Sequence, residues 1–233
     1  MKKLVALLSI LILSSCAELQ SVVDNLPNQT GIDNATIASG LRQALDFGIE
    51  KQVTKLTQKD GFYENSLVKI LLPEELQKVD QTLRNVGLSS LADEGLKVLN
   101  RAAEDAVSEA TPIFVDAVKG ITFADAKTIL LGADDSATTY LQNKTSTQLY
   151  DKFNPVIKSS FSKVGADQIW SNLITKYNAL PLTNDVNPDL TDYVTQEALK
   201  GVYTMIAVEE KEIRTDFSAR TTTLLKKVFA LQD

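Results

Sequence analysis

Residues Ser89 to Tyr140 read SSLADEGLKVLNRAAEDAVSEATPIFVDAVKGITFADAKTILLGADDSATTY. Apolar residues recur at Leu96, Leu99, Ala103, Ala106, Val107, Ala110, Ile113, Phe114 and Ala117. Steps of three and four trace one face of a helix. Much of that face is Ala, so a neighbouring helix can approach closely. Ser90 precedes Asp93 by three residues, and Thr122 precedes Asp125 by three. Each pair predicts a helix start, with a hydroxyl on an early N–H and an acid near the positive helix end. Arg101 and Asp105 are spaced for an i,i+4 pair on the polar side. Pro112 is expected to kink this helix, because the apolar face continues in phase through Phe114; a new helix capped by Thr111 is the alternative. Gly120 ends the segment, and Gly132 ends a short helix over 123–131.

Working outward, the same logic gives an all-α, single-domain bundle of about seven to nine helices around the Ala-rich one. The first helix is expected over 34–58, capped by Asp33, with Gly40 and Gly48 as points of close helix contact. Residues 66–72 are ambiguous: short, apolar and ended by Pro73, they fit an extended run or a buried turn. Lacking an identifiable partner strand, they are assigned to helix or coil. Pro73-Glu74-Glu75 starts a helix that stops at Gly87. A short helix over 136–143 is expected next. Thr145 or Ser146 then caps a further helix, broken or kinked at Asn154-Pro155. Asp167 caps a helix holding Trp170, the single Trp, read as core. Residues 181–188 read as a linker. Asp189 or Thr191 caps a long helix to about Thr215, and a turn near 216–218 leads to a last helix over 219–231.

The first residues are not part of that fold. Lys2 and Lys3 precede an apolar run from Leu4 to Leu13, too short to span a bilayer. Leu13-Ser14-Ser15-Cys16 fits a bacterial lipobox, so 1–15 is expected to be a signal peptide. Cys16 would be the lipidated residue, 16–32 a tether and 33–233 the domain. Three acyl chains on Cys16 would make the anchor effectively permanent. Ala17 after the Cys, rather than Asp, points to the outer membrane, and the lack of an acid-rich tether points to its periplasmic face.

Composition removes several chemistries. The chain has no His, and Cys16 is its one Cys. His-based catalysis, a Ser–His–Asp triad, a Cys nucleophile and the common zinc sites are therefore excluded. Without Lys2 and Lys3, the 24 basic residues become 22 against 30 acidic ones, a net charge of −8. Nucleic acid is not an expected partner. No cofactor is expected either.

The sequence around the central helix also resembles a known family. Asn100-Arg101-Ala102-Ala103-Glu104-Asp105-Ala106, Pro112-Ile113-Phe114, Asp125-Ala126, Gly132 and Ala137-Thr138-Thr139-Tyr140 are similar to the bacterial lipoproteins of domain of unknown function 4197 (DUF4197). Tyr193-Val194, Gly201, Glu209-Glu210, Ile213-Arg214, Arg220 and Leu225-Lys226-Lys227-Val228-Phe229 continue the resemblance. The family carries Pro where this chain has Phe217 and Gly where it has Ala230. The resemblance implies an all-helical envelope protein and carries over no catalytic or binding residue.

Candidate chemistry is sparse. Asp185, Asn187 and Asp189 have the spacing of the first calcium-loop ligands, but Leu190 stands where Gly is needed and Gln196 where a bidentate Glu is needed. A polar turn leading to a cap is the expected role. Asp134-Asp135 read as first-turn acids. Arg101, Arg214 and Arg220 are expected to pair with Glu104, Glu209 or Glu210 and fix helix packing, with an anionic ligand as the sharper reading. Glu210 and Arg214 have the favourable i,i+4 order. The chain is read as a non-enzymatic binding or scaffold domain, held to the membrane through Cys16, that takes an envelope protein or small-molecule ligand. A hydrolase working through carboxylates without His or Cys, or a structural spacer, is the alternative.

Overall fold

The computed structural model describes residues 32–233 apart from 86, 88, 169, 172–174 and 176–188. Eight α-helices and one 3-10 helix lie among the described residues, and no strand does. They are α1 (Asn34–Leu56), α2 (Glu74–Asn85), α3 (Ser89–Val107), α4 (Ala110–Lys119), α5 (Phe123–Leu130), α6 (Ser136–Lys163), α7 (Thr191–Thr215), the 3-10 helix Phe217–Ala219 and α8 (Thr223–Phe229). The fold is an all-α, multi-helix one. Residues 1–31, with the expected leader, Cys16 and most of the expected tether, and residues 181–188 lie outside the described residues. So does most of the helix expected after Asp167.

Local chemistry explains most boundaries. Asp33 accepts the N–H of Thr36 at 2.7 Å and caps α1. Thr122 and Asp125 form a reciprocal capping box at α5, with bonds of 3.1 and 3.0 Å. Gly87 and Gly165 stop their segments with φ of +82° and +65°, values that favour glycine. Four boundaries differ from expectation. The helix kinked at Pro112 is instead two helices, separated at Ser108-Glu109. The carbonyl four residues before Pro112 is that of Ser108, so breaking there removes the clash and places Pro112 in the first turn of α4. Helix α3 begins at Ser89, so Ser90 lies inside it, and Asp93 pairs with Arg84 of α2 at 2.8 Å.

The two helices expected over 136–164 are one, α6, with Pro155 inside. Phe153, Ile157 and Phe161 are buried on one stripe that runs through Pro155 in phase. Pro155 is exposed, as is Asp151 four residues earlier, so water can satisfy the freed carbonyl. Thr145 does not cap anything. Its hydroxyl is buried and shared between the Leu141 carbonyl at 2.7 Å and the Tyr203 hydroxyl at 2.8 Å. Finally, α8 starts at Thr223 rather than 219, because Arg220 turns inward and the chain cannot stay helical across it.

The centre of the bundle is shared. The Ala stripe of α3 is fully buried at Ala102, Ala103 and Ala106 and packs on α6 and α7, and Ala110 at the start of α4 is buried as well. Helix α7 touches α1, α3 and α6, and 14 of its 25 residues are buried. That makes α7, not α3 alone, the axis of the molecule. Its small residues permit this. A Cβ on Gly201 would lie 2.7 Å from the buried Phe62 ring. Phe114 of α4 meets Tyr203 of α7 edge-on, with centroids 6.0 Å apart at 83°. Trp170 is buried over Gly95 of α3, whose added Cβ would stand 3.0 Å from the ring.

Helix α1 closes the other side, against α4, α5, α7 and α8. Gly40 is the contact point with α8, since a Cβ there would meet Val228 Cγ2 at 2.5 Å. Ala for Gly gains about 1 kcal/mol of helix propensity, whereas overpacking costs about 1–3 kcal/mol. Gly40→Ala should therefore lower the urea midpoint in the native background and raise it in a Val228→Ala background. Equal effects of Gly40→Ala in both backgrounds would show that Val228 does not set the fit.

Candidate functional site

The six charged residues singled out in the sequence fall into four buried clusters, each on a different seam of the bundle. Arg101 on α3 donates to Glu104 Oε2 at 2.6 Å and to Asp60 Oδ1 at 2.8 Å. Glu104 Oε1 accepts the buried N–H of Phe62 at 3.2 Å. Together they hold the turn after α1, where Asp60 has φ of +67° and Gly61 packs too tightly for a side chain. The expected Arg101–Asp105 pair does not form. Arg101 turns to Asp60 and Glu104, and Asp105 accepts from the Ser160 hydroxyl at 2.8 Å.

Glu209 sits on the α7–α1 seam. It accepts from Gln52 Nε2 at 2.7 Å and from Lys51 Nζ at 2.7–2.8 Å. The hydrogen bond to Glu209 raises the pKa of Lys51, against the smaller effect of burial. Gly48 makes room for this carboxylate, since its Cβ would stand 3.2 Å from Glu209 Cγ.

One turn on the same helix, Glu210 and Arg214 form an ion pair of 2.8 Å with both side chains buried. The pair is divided between two helix ends. Glu210 accepts the N–H groups of Ala137 and Thr138 and the Thr138 hydroxyl, each at 2.8 Å, and so caps the N-terminus of α6. Asp135, at the cap position itself, makes no side-chain cap bond. Arg214 donates to the carbonyls of Ile129 and Leu130 at 2.8 and 2.9 Å, the C-terminus of α5. Each charge lies at the helix end whose partial charge it opposes.

Arg220 does not pair with any of the three glutamates. Its guanidinium donates to the carbonyls of Ile213 and Arg214 at 3.0 and 2.9 Å, and to both carboxylate oxygens of Asp233 at 2.6 and 2.8 Å. The bond to Arg220 lowers the Asp233 pKa and raises that of Arg220. Arg220 is thus a cap for the end of α7 and a clasp for the last residues.

Among the described residues the space at the central pair of clusters is small. The void beside Gly48, Glu209, Glu210 and Arg214 is about 20 Å³, the room of roughly one water. Open space lies elsewhere, in two grooves on either side of α7 that share Glu197, Lys200 and Thr204. One, of about 600 Å³, runs between α7 and residues 67–77. The other, of about 530 Å³, runs between α7 and α6 and is lined by Thr138, Thr139, Gln142, Ser146 and Gln196 among others. Of the weak metal candidates, Asp189 accepts the Thr191 N–H at 2.9 Å and caps α7, while Asp185 and Asn187 lie outside the described residues. No group of three or more acidic, His or Cys residues that could hold a metal occurs among the described residues. No described helix is long and apolar enough to cross a membrane.

One functional residue of the fold escaped the sequence reading. Asn100 is fully buried and its amide bonds both backbone groups of Ile70, accepting the N–H at 2.8 Å and donating to the carbonyl at 2.9 Å. It ties down residues 66–72, which are turn and irregular chain with no helix. The signal was present: Asn100 lies between Leu96 and Ala103 on the apolar stripe of α3, where a polar side chain needs a partner.

The fold and its buried clusters define a helical-bundle protein whose internal charges staple helix ends and turns. A family model described as a protein of unknown function, DUF4197, matches residues 31–230, and the chain belongs to that family. No curated protein and no solved structure matches it.

Breaking the buried Glu210–Arg214 pair by removing one partner leaves an uncompensated charge, an effect of about 3–5 kcal/mol. Arg214→Met should therefore lower the stability by that order in urea unfolding, and adding Glu210→Gln should recover part of the loss. Fully additive losses would contradict the coupling. A separate check concerns pH. The Thr122 N–H and hydroxyl hold the Asp125 pKa below the usual carboxylate range, backbone bond first. A depressed folded pKa adds stability above the unfolded value, and that stability disappears as pH falls through the folded one. Asp125→Asn should flatten the decline in thermal midpoint below about pH 4. An unchanged decline would mean that this cap carries none of it.

Proposed function

We propose that the protein is a lipid-anchored domain of the bacterial envelope, held through Cys16 on the periplasmic face of the outer membrane, with a non-enzymatic binding or scaffold role. The charged n-region, the short apolar run and the Leu13-Ser14-Ser15-Cys16 box support the anchor. The observation that carries the binding role is the fate of the acids. Glu104, Glu209 and Glu210 are each committed to backbone N–H groups or internal cations, so none is available to a substrate. The larger open spaces instead include the two grooves along α7. The alternative, a carboxylate hydrolase, needs two acids facing each other across a cleft. Glu209 and Glu210 are neighbours on α7 and border only the void of about 20 Å³, and Glu104 lies apart on α3 at the Phe62 N–H.

The test is native mass spectrometry of the protein purified from its own envelope. The expected chain carries the acyl mass on Cys16, loses it in Cys16→Ser, and retains a non-covalent partner or ligand. An unmodified Cys16 would refute the anchor, and an unaccompanied chain that also yields no crosslink in intact cells would refute the binding role.

A further inference from the structure

Arg220 is fully buried, and most of its partners carry no charge. Its Nε donates to the Ile213 carbonyl at 3.0 Å and one Nη to the Arg214 carbonyl at 2.9 Å. The Phe217 and Phe229 rings flank the guanidinium, each centroid 5.9 Å from Cζ. Among the described residues one carboxylate meets it, that of Asp233, whose two oxygens take Nη1 and Nη2 at 2.6 and 2.8 Å.

The two partners are held unequally. The Arg220 side chain is 2 % exposed and that of Asp233 54 %. Arg220 is aimed by the backbone at the end of α7 and by two rings, so it keeps its direction when Asp233 leaves. Asp233 belongs to a short non-helical strap, residues 231–233, beyond the end of α8. Leu231 is the strap's apolar contact with the core. The Leu231 and Gln232 N–H groups reach the Val228 and Phe229 carbonyls at 3.2 and 3.0 Å, and the Gln232 amide reaches the Leu130 carbonyl. Gln232 Oε1 is buried there with no hydrogen-bond partner among the described residues, a cost of closure that opening relieves. A segment with so few buried contacts opens locally well before the bundle does.

Opening leaves a buried cation without its counter-charge, which is strongly unfavourable until another anion arrives. The seat suits a planar one, because two parallel N–H···O bonds match the spacing of carboxylate oxygens. The group that Asp233 places in it, a methylene and a carboxylate, has the size of acetate. Lys226 adds attraction at the entrance. Its ammonium lies 5.2 Å from the Phe217 ring centroid and makes no ion pair with any described residue.

We propose that Arg220 is a binding site for the carboxylate of a small organic acid, kept closed in cis by Asp233. The proposal rests on the binding role above and names a site and a ligand chemistry for it. The incoming acid exchanges with Asp233 on the two Nη groups and frees residues 231–233. The strap is an intramolecular competitor with an effective concentration of about millimolar or more, so acids well below that level leave the site closed.

The experiment is acetate titration of the full chain carrying Asp233→Ala. The variant should melt below the native chain, and acetate should raise its midpoint progressively, as a ligand of the folded state does. Chloride at the same ionic strength should not. The side-chain nitrogen NMR signals of Arg220 should shift over the same acetate range. Combining Asp233→Ala with Arg220→Met should remove both effects. In the native chain the Arg220 signals should shift at higher acetate, and the amide signals of 231–233 should sharpen as the strap leaves. No rise beyond that given by chloride, or an equal rise in the double variant, overturns the proposal. An equal effect of phosphate overturns the carboxylate assignment. A strap still closed in about 1 M acetate, far above its own effective concentration, overturns the exchange. If either variant does not fold, the Arg220 and strap signals of the native chain decide alone. A retained envelope partner with no acetate effect sinks this site and leaves the binding role standing.

Discussion

The bundle depends on one ion pair being shared by two helix ends. Glu210 and Arg214 sit one turn apart on α7, and each spends its hydrogen bonds on the end of a different helix. The link from Leu130 to Ser136 is short, so α5 ends and α6 begins within reach of the same turn of α7. The N–H groups of Ala137 and Thr138 find their acceptor there, and the carbonyls of Ile129 and Leu130, which also accept from the Gly132 N–H and the Gln232 amide, gain a charged donor. A hydrophobic pair of the same volume would pack, but it could not terminate α5 and initiate α6 at fixed positions. The charge pair thus sets where these helices stop and start, and through them the angle at which α6 lies on α7.

The other charged clusters repeat the device on a smaller scale. Arg101 and Glu104 hold a turn with a left-handed Asp60, Glu209 ties α7 to α1, and Arg220 closes the end of α7. Their targets differ: Glu104 takes the distant Phe62 N–H, Glu209 takes side chains of α1, and Arg220 takes carbonyls six and seven residues back. Small residues do the complementary work. Gly201, Gly48 and Gly40 let α7 and α1 come close to their neighbours at the places where a ring, a carboxylate and a valine intrude.

How far this was legible follows from the range of each interaction. Asp33, Thr122, Gly87 and the pairing of Glu210 with Arg214 act within about one helical turn, and their residues announce them. The split at Ser108-Glu109 depends on a clash that sequence shows as a choice between kink and break, and the in-phase apolar face favoured the wrong branch. At Pro155 the choice between break and kink was left open, and the helix runs through, because the exposure of Pro155 and Asp151 lets water take the freed carbonyl. The partners of Arg220, Glu209 and Glu104 are 13, about 157 and 42 residues away, so no local pattern reports them. Asn100 is the instructive case. A lone amide in an apolar stripe signals a buried bond, but only the fold says which residues it ties down.

The seam between α1 and α8 brings the two ends of the described fold together. Gly40 packs on Val228, Thr222 donates to Gln43 at 2.9 Å, and the Asp33 carboxylate feels the charge of Lys227. Loosening the first turns of α1 would therefore also loosen the last helix, so fraying at one end of the described fold is coupled to fraying at the other.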